Sequence, residues 1–218
     1  MDHTWDGTTR SATLQPQWAA QRGALIDAAK RGDWENMLAI LHEENTLVNT
    51  WRPDGKAWYA PLHHAAYNGA PLQVVQSLID LGAWRTLRTA EGERAAEIAA
   101  RRGHTHLLTL LEPVYQRTVP PDVLSRIQGH FHAVILGRAR DLVEGEKLRL
   151  PELEPLLEYP QEPTWFAIPG MYGGFSYWIE TKPSPILWAE SWCRVAGGSG
   201  QRHAVSPFGS LLTEEGFV

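Results

Sequence analysis

The stretch Ala60-Pro61-Leu62-His63-His64-Ala65-Ala66-Tyr67-Asn68-Gly69-Ala70 decides how this chain is read. Two small residues in succession, Ala65 and Ala66, let a second helix approach the first closely. Gly69, three residues on, ends the helix in a left-handed conformation that only glycine adopts cheaply. Beyond it, Val74-Val75 and Leu78-Ile79 recur at a spacing that fits one face of a second helix. The unit is therefore helix, tight turn, helix, with the second helix covering the first.

The same pattern occurs on both sides. Upstream stands Ala24-Leu25-Ile26-Asp27-Ala28-Ala29-Lys30-Arg31-Gly32-Asp33, and downstream Ala95-Ala96-Glu97-Ile98-Ala99-Ala100-Arg101-Arg102-Gly103-His104. Gly32 to Gly69 is 37 residues and Gly69 to Gly103 is 34. The flanking copies continue with Met37-Leu38-x-Ile40-Leu41 and Leu107-Leu108-x-Leu110-Leu111. A single such unit cannot bury its apolar face alone, so a period near 34 residues implies units stacked side by side.

These segments resemble the ankyrin repeat. Ala60-Pro61-Leu62-His63 is close to that family's Thr-Pro-Leu-His, and Asp54-Gly55 and Glu91-Gly92 match the turns that open repeats. Leu81-Gly82-Ala83 matches a repeat end, and Gly103-His104 the corner between helices. The resemblance covers about 20–113. It departs in two places. Alanine at position 60 lacks the hydroxyl that ties the family's turn, and Lys56 to Ala60 enlarge the hairpin tip, where Trp58 and Tyr59 sit. The resemblance implies a concave binding surface built from hairpin tips and inner helices, and a protein as ligand.

Candidate contacts follow from position. Trp51, Trp58 and Tyr59 fall in one inter-repeat connection, Trp84 and Arg85 in the next. Aromatics and arginine dominate protein–protein hot spots. Packing of these rings between repeats or against the second domain is the competing reading.

After Glu112-Pro113 the material changes. Apolar residues from Leu124 to Val143 follow helical spacing, predicting a helix over about 122–144. Gly137, 34 residues after Gly103, leaves a degenerate fourth repeat as an alternative. Residues 164–218 are Gly-rich, aromatic and strand-like, predicting three to five antiparallel strands covered by that helix. About 55 residues is marginal as an independent core. The expected organisation is a lead over 1–19, ankyrin-type repeats over 20–119, a helical linker over 120–160 and a small antiparallel β module over 161–218, an α+β chain overall. The lead is read as partly ordered, with Trp18 packing on the first helix. The segment 120–218 is similar to C-terminal extensions on bacterial ankyrin-repeat proteins of unassigned activity, which makes a regulatory or toxin-neutralising adaptor the specialisation to expect.

Catalytic and metal signals are thin. The histidine pairs His63-His64, His104-x-His106 and His130-x-His132 lack the i, i+4 spacing of zinc ligands on a helix, since neighbours at i, i+2 diverge by about 200°. Neither a metal nor a cofactor is expected. Gly197-Gly198-Ser199-Gly200 precedes a strand rather than a helix, so the usual anion-binding helix N-terminus is missing. One polar cluster remains: Glu190, Trp192, Arg194, Arg202 and His203, on neighbouring strands, could wall a small-molecule or catalytic pocket. Cys193 alternates to the other face, as core.

At 218 residues the chain is one large domain or two small ones. Its net charge of −5 argues against a phosphate-binding field, so nucleic acid is not the expected partner. One cysteine excludes an internal disulfide framework. With no secretory signal and no stretch of about 18 apolar residues, a soluble cytoplasmic protein is expected. The reading is noncatalytic protein binding, the alternative a small-molecule-binding or enzymatic C-terminal module delivered by the repeats. The ten tryptophans must serve as core, contact surface or both.

Overall fold

The computed structural model describes residues 3–217. The chain is mixed α+β, and its described residues form seven α-helices and a six-stranded sheet. It divides into two compact units, one running from Thr9 to Val114, the other from Tyr115 onward together with the N-terminal segment that ends at Thr8.

The helical unit contains α1 (Pro16–Arg31), α2 (Trp34–Glu43), α3 (Pro61–Asn68), α4 (Leu72–Asp80), α5 (Ala95–Arg102) and the short α6 (Leu108–Leu111). The three glycines do what the sequence requires of them: Gly32, Gly69 and Gly103 end α1, α3 and α5 at φ of 73°, 63° and 78°. The residue after each glycine donates its backbone N–H back into the helix, Asp33 to Ala28 at 3.0 Å, Ala70 to Ala65 at 3.0 Å and His104 to Ala99 at 2.9 Å. One turn geometry is thus repeated three times, and each satisfies carbonyls the helix end would otherwise orphan. Of the alanines at these corners, Ala28, Ala29, Ala65, Ala66 and Ala99 are fully buried and Ala100 is exposed. Leu25, Met37, Leu41, Leu62, Val75, Leu78, Ile98 and Leu107 close over them.

Side-chain bonds tie one copy to the next. His63 is buried and accepts the Ala60 N–H on Nδ1 at 3.1 Å, so Nε2 carries the proton and donates to the Leu87 carbonyl at 2.9 Å. The imidazole thereby does the work of the hydroxyl missing at position 60. Asn49 donates to the Gly82 carbonyl and accepts from the Trp84 N–H, both at 2.9 Å. His63→Leu would leave a buried N–H and a buried carbonyl unpaired. The expected loss is about 2–4 kcal/mol, read as an earlier urea transition; a midpoint unchanged from the parent would show that the ring ties nothing.

The second unit is built on α7 (Pro121–Gly145), laid across a sheet of strand order β1-β2-β3-β4-β5-β6. The strands are β1 (His3–Thr4), β2 (Thr164–Ile168), β3 (Gly173–Glu180), β4 (Ile186–Cys193), β5 (Gln201–Ser206) and β6 (Gly209–Glu215). β2 to β6 form an antiparallel meander, but β1 pairs parallel with β2, so the sheet is mixed rather than purely antiparallel. Inward residues alternate along the strands: Phe166, Phe175, Tyr177, Ile179, Leu187 and Ala189 are buried. Phe131 of α7 meets them, 4.9 Å from the Tyr177 ring and 6.2 Å edge-on from Phe175. The outward set at period two includes Trp165, Trp178, Trp188 and Trp192, all half-buried, with Trp178 directly opposite Trp188.

The helix expected over about 122–144 forms, as α7. Gly137 lies inside α7, so no fourth helix-turn-helix corner forms there; the helix breaks instead at Ala139, at φ −147° and ψ 32°. The lead, expected to be partly ordered, is anchored at Trp5. Trp5 is buried, its indole N–H donates to the Arg149 carbonyl at 2.9 Å, and its backbone N–H donates to Trp165 at 2.8 Å. Trp18 belongs to α1 itself and is 41% exposed. Residues 120–160, expected as a helical linker, fall in the unit that carries the sheet.

Candidate functional site

The hairpin tip between α2 and α3 rises on a 3₁₀ turn, Asn45–Asn49, and two left-handed residues, Asp54 at φ 60° and Trp58 at φ 54°. A bulky residue at positive φ is an outlier that persists only where its surroundings hold it. Here the Ala90 N–H donates to the Ala57 carbonyl at 3.0 Å, and the Asp54 N–H donates to Thr9 at 2.7 Å. Ser11 donates its backbone N–H to the Asp54 carboxylate at 3.3 Å; the Ser11 side-chain hydrogen bond first, then this backbone one, hold that carboxyl below its usual range.

Beneath the tip opens a cleft of about 540 Å³, lined by Ile26 and Lys30 of α1, Arg52, Gly55, Lys56, Ala57, Trp58 and Tyr59 of the tip, His64 and Tyr67 of α3, and Glu91. That volume suits a few side chains or a small ligand. Its wall is aromatic: Tyr59 lies 5.3 Å from the His64 ring and 6.3 Å edge-on from Tyr67. Arg102 covers the Tyr67 ring with its guanidinium 4.3 Å from the centroid, a cation–π contact. Arg101 is gripped by both Glu93 oxygens at 2.9 and 2.8 Å. Arg52 is bonded to Asp27.

His64 is half-buried in this cleft. Burial first, then the nearby Lys30 ammonium, push its pKa down to about 4. In the unfolded chain it titrates near 6.5. A depressed folded pKa gives stability that is present above 6.5 and is lost as the pH falls through 4. Between pH 7 and pH 5 the expected loss from this group is about 2 kcal/mol. Thermal melts should show this slope in the parent protein and lose it in His64→Gln; equal slopes would assign it to other groups.

The candidate contacts separate. Trp58 and Tyr59 stand half-buried at the cleft, as a binding role needs. Trp51 is 2% exposed and Trp84 6% exposed, so neither can be a surface contact. Trp51 packs under the tip with its ring 6.2 Å from Trp58, and the Trp84 backbone is drawn in by Asn49. Arg85 donates from Nε to the Leu110 carbonyl at 2.9 Å, a structural tie. Sequence reasoning missed Lys30, His64 and Tyr67. The signal was present: His64 and Tyr67 are three apart on one helix, on the face that looks toward the tip.

The five-residue pocket on the sheet does not assemble. Glu190 and Arg202 stand opposite each other and pair at 2.6 Å, and Arg202 also reaches Glu214 at 2.6 Å. These carboxylates, Glu190 foremost, hold the guanidinium charged. Trp192 shares their face and packs on Trp165, with ring centroids 5.1 Å apart. His203 stands opposite buried Ala189, on the other side of the sheet, where burial and then Arg138 lower its pKa. Arg194 lies beyond the end of β4, exposed in the turn. Period-two alternation holds only within a strand, and β4 stops at Cys193. Three of the paired histidines hold structural positions: His104 and His106 reach backbone carbonyls of Tyr67 and Ala70 at 3.1 and 3.3 Å, and His132 that of Pro151 at 2.8 Å. Among the described residues no cluster of three or more His, Cys, Asp or Glu could hold a metal ion.

No family model matches the sequence, and no curated protein matches it. One solved structure with a detectable likeness is described as a predatory endopeptidase from Bdellovibrio bacteriovorus in complex with an immunity protein. The match has 20% identity and a TM-score of 0.36, over 56% of this chain and 66% of the matched one. This chain thus spans just under two thirds of the matched chain's length. Among the described residues, no helix is long and apolar enough to cross a membrane.

Proposed function

We propose that the helical unit is an ankyrin-type stack and that the protein acts by noncatalytic binding of a partner protein in the cleft under the Trp58–Tyr59 tip. The observation that carries this reading is the cleft itself: three aromatic side chains, Trp58, Tyr59 and Tyr67, wall an open cavity of about 540 Å³. Exposed or half-exposed aromatics around a preformed concavity are the usual anchors of protein recognition. The repeated glycine corners support the ankyrin assignment because they give each copy the same turn, and the His63 bridge ties the middle copy to the connection that follows it. A regulatory or toxin-neutralising adaptor in a bacterium is the specialisation that the sequence resemblance implies. The split of Glu190, Trp192, Arg194, Arg202 and His203 over two faces and a turn weighs against the enzymatic alternative.

Selection of displayed random peptides on the full chain tests this reading. Binders should be enriched on the parent and lost on Trp58→Ala/Tyr67→Ala, while the variant keeps its melting temperature within a few degrees. Binders that ignore the double substitution would sink the reading.

A further inference from the structure

The charges around the cleft run against those of the chain. The whole protein is net −5, yet Lys30, Arg52 and Lys56 line the cleft with Glu91 as its single carboxylate. Arg52 is neutralised by Asp27. Lys30 and Lys56 are exposed, and among the described residues neither ammonium has an ionic or hydrogen-bonding partner. The imidazole of His64 lines the same wall, and among the described residues neither of its nitrogens has a hydrogen-bond partner. It is neutral through the physiological range, so it offers one N–H donor without bringing a second charge. The cleft therefore combines a planar apolar wall with two unspent cations and a neutral donor.

We propose that the occupant of this cleft is an acidic segment of the partner protein, with an apolar side chain against Trp58, Tyr59 and Tyr67, one carboxylate between Lys30 and His64, and another met by Lys56. This inference rests on the protein-binding reading above and gives its partner a chemistry. Carboxylate chemistry suits the site: Lys30 supplies the point charge and His64 the directed hydrogen bond. A basic segment would set its cations against Lys30 and Lys56. A nucleic acid would bring a long run of phosphates to an acidic protein whose cleft holds two unspent cations, too few to outweigh the remaining repulsion.

The test uses the full chain and two fluorescein-labelled dodecapeptides with identical Leu, Pro and Tyr positions, one carrying Asp and Glu, the other Asn and Gln. Anisotropy should show the acidic peptide binding at least tenfold tighter at low salt, with the preference shrinking as salt is raised. In Lys30→Gln/Lys56→Gln, the acidic peptide should lose at least fivefold and the amide peptide should be unchanged. Equal affinities for the two peptides, both abolished by Trp58→Ala, would overturn the acidic assignment and leave protein binding standing. Binding of both peptides that ignores Trp58→Ala, or no binding of either, would overturn both readings. Competition of a single-stranded oligonucleotide at equal or better affinity would overturn the acidic-protein assignment alone.

Discussion

Phe131→Ala is expected to destabilise the sheet-bearing unit by about 3–5 kcal/mol. The ring is 0% exposed, and it is the aromatic side chain through which α7 meets Tyr177 and Phe175. Truncation removes its transfer free energy and leaves a cavity between a helix and a sheet. Neither wall can collapse easily: β3 is paired on both sides, and Tyr177 is itself 1% exposed. A domain of this size holds about 5–15 kcal/mol in total, so the variant sits near the edge of folding. Urea titration followed by far-UV circular dichroism should show an early transition that the parent lacks. Phe131→Leu keeps much of the volume and should cost about a third as much. A Phe131→Ala midpoint equal to the parent's would mean that α7 covers the sheet without holding it.

The helical corners were legible because every determinant is local. An alanine pair followed by glycine fixes helix approach and helix end within six residues, and the three corners form with the same backbone bond. The hydrogen bonding at Ala60 was not legible from the missing hydroxyl. The substitute, His63 Nδ1, lies three residues on, but its second bond goes to Leu87, 24 residues away. The same limit hides Asn49, whose two partners lie 33 and 35 residues downstream. Pairing across such distances leaves no period in the sequence. β1 is the extreme case: two residues, His3 and Thr4, have no alternation to detect, and their partners are Thr164 and Trp165. The burial of Trp5 rests on that pairing together with the bond from its indole N–H to the Arg149 carbonyl, 144 residues away.

The candidate site was half legible. The enlarged tip announced Trp58 and Tyr59, because extra residues in a repeat connection must go outward. Lys30 was hidden by being one of twenty basic residues, and His64 by standing next to a structural histidine. What sets the two histidines apart is helix phase: one residue turns the side chain by about 100°, which carries His63 into the interface with Leu87 and His64 into the cleft. The sheet cluster failed for a similar reason. Glu190 and Arg202 did meet, as cross-strand neighbours should, but His203 follows Arg202 by one position and so faces the helix side.

Trp51→Ala and Trp58→Ala should therefore behave as opposites although the residues are seven apart in one connection and their rings are 6.2 Å apart. Trp51 is 2% exposed, and its removal is expected to cost about 3–5 kcal/mol through lost burial and a cavity under the tip. Trp58 is half-buried at the cleft mouth, so its removal forfeits little packing, and alanine takes over the same left-handed backbone at φ 54°. It should lower stability by about 1 kcal/mol or less while removing a wall of the binding site. The measurement is a pair of urea midpoints beside a pair of peptide affinities. Trp51→Ala should shift the midpoint strongly, and under conditions where the variant remains folded its peptide affinity should fall less than tenfold. Trp58→Ala should leave the midpoint near that of the parent and cut the affinity by tenfold or more. If the two variants lose stability equally, the tip is a single packed unit and Trp58 belongs to the core. If Trp51→Ala abolishes binding with its fold intact, the buried ring shapes the cleft from beneath, and the recognition surface extends below the tip.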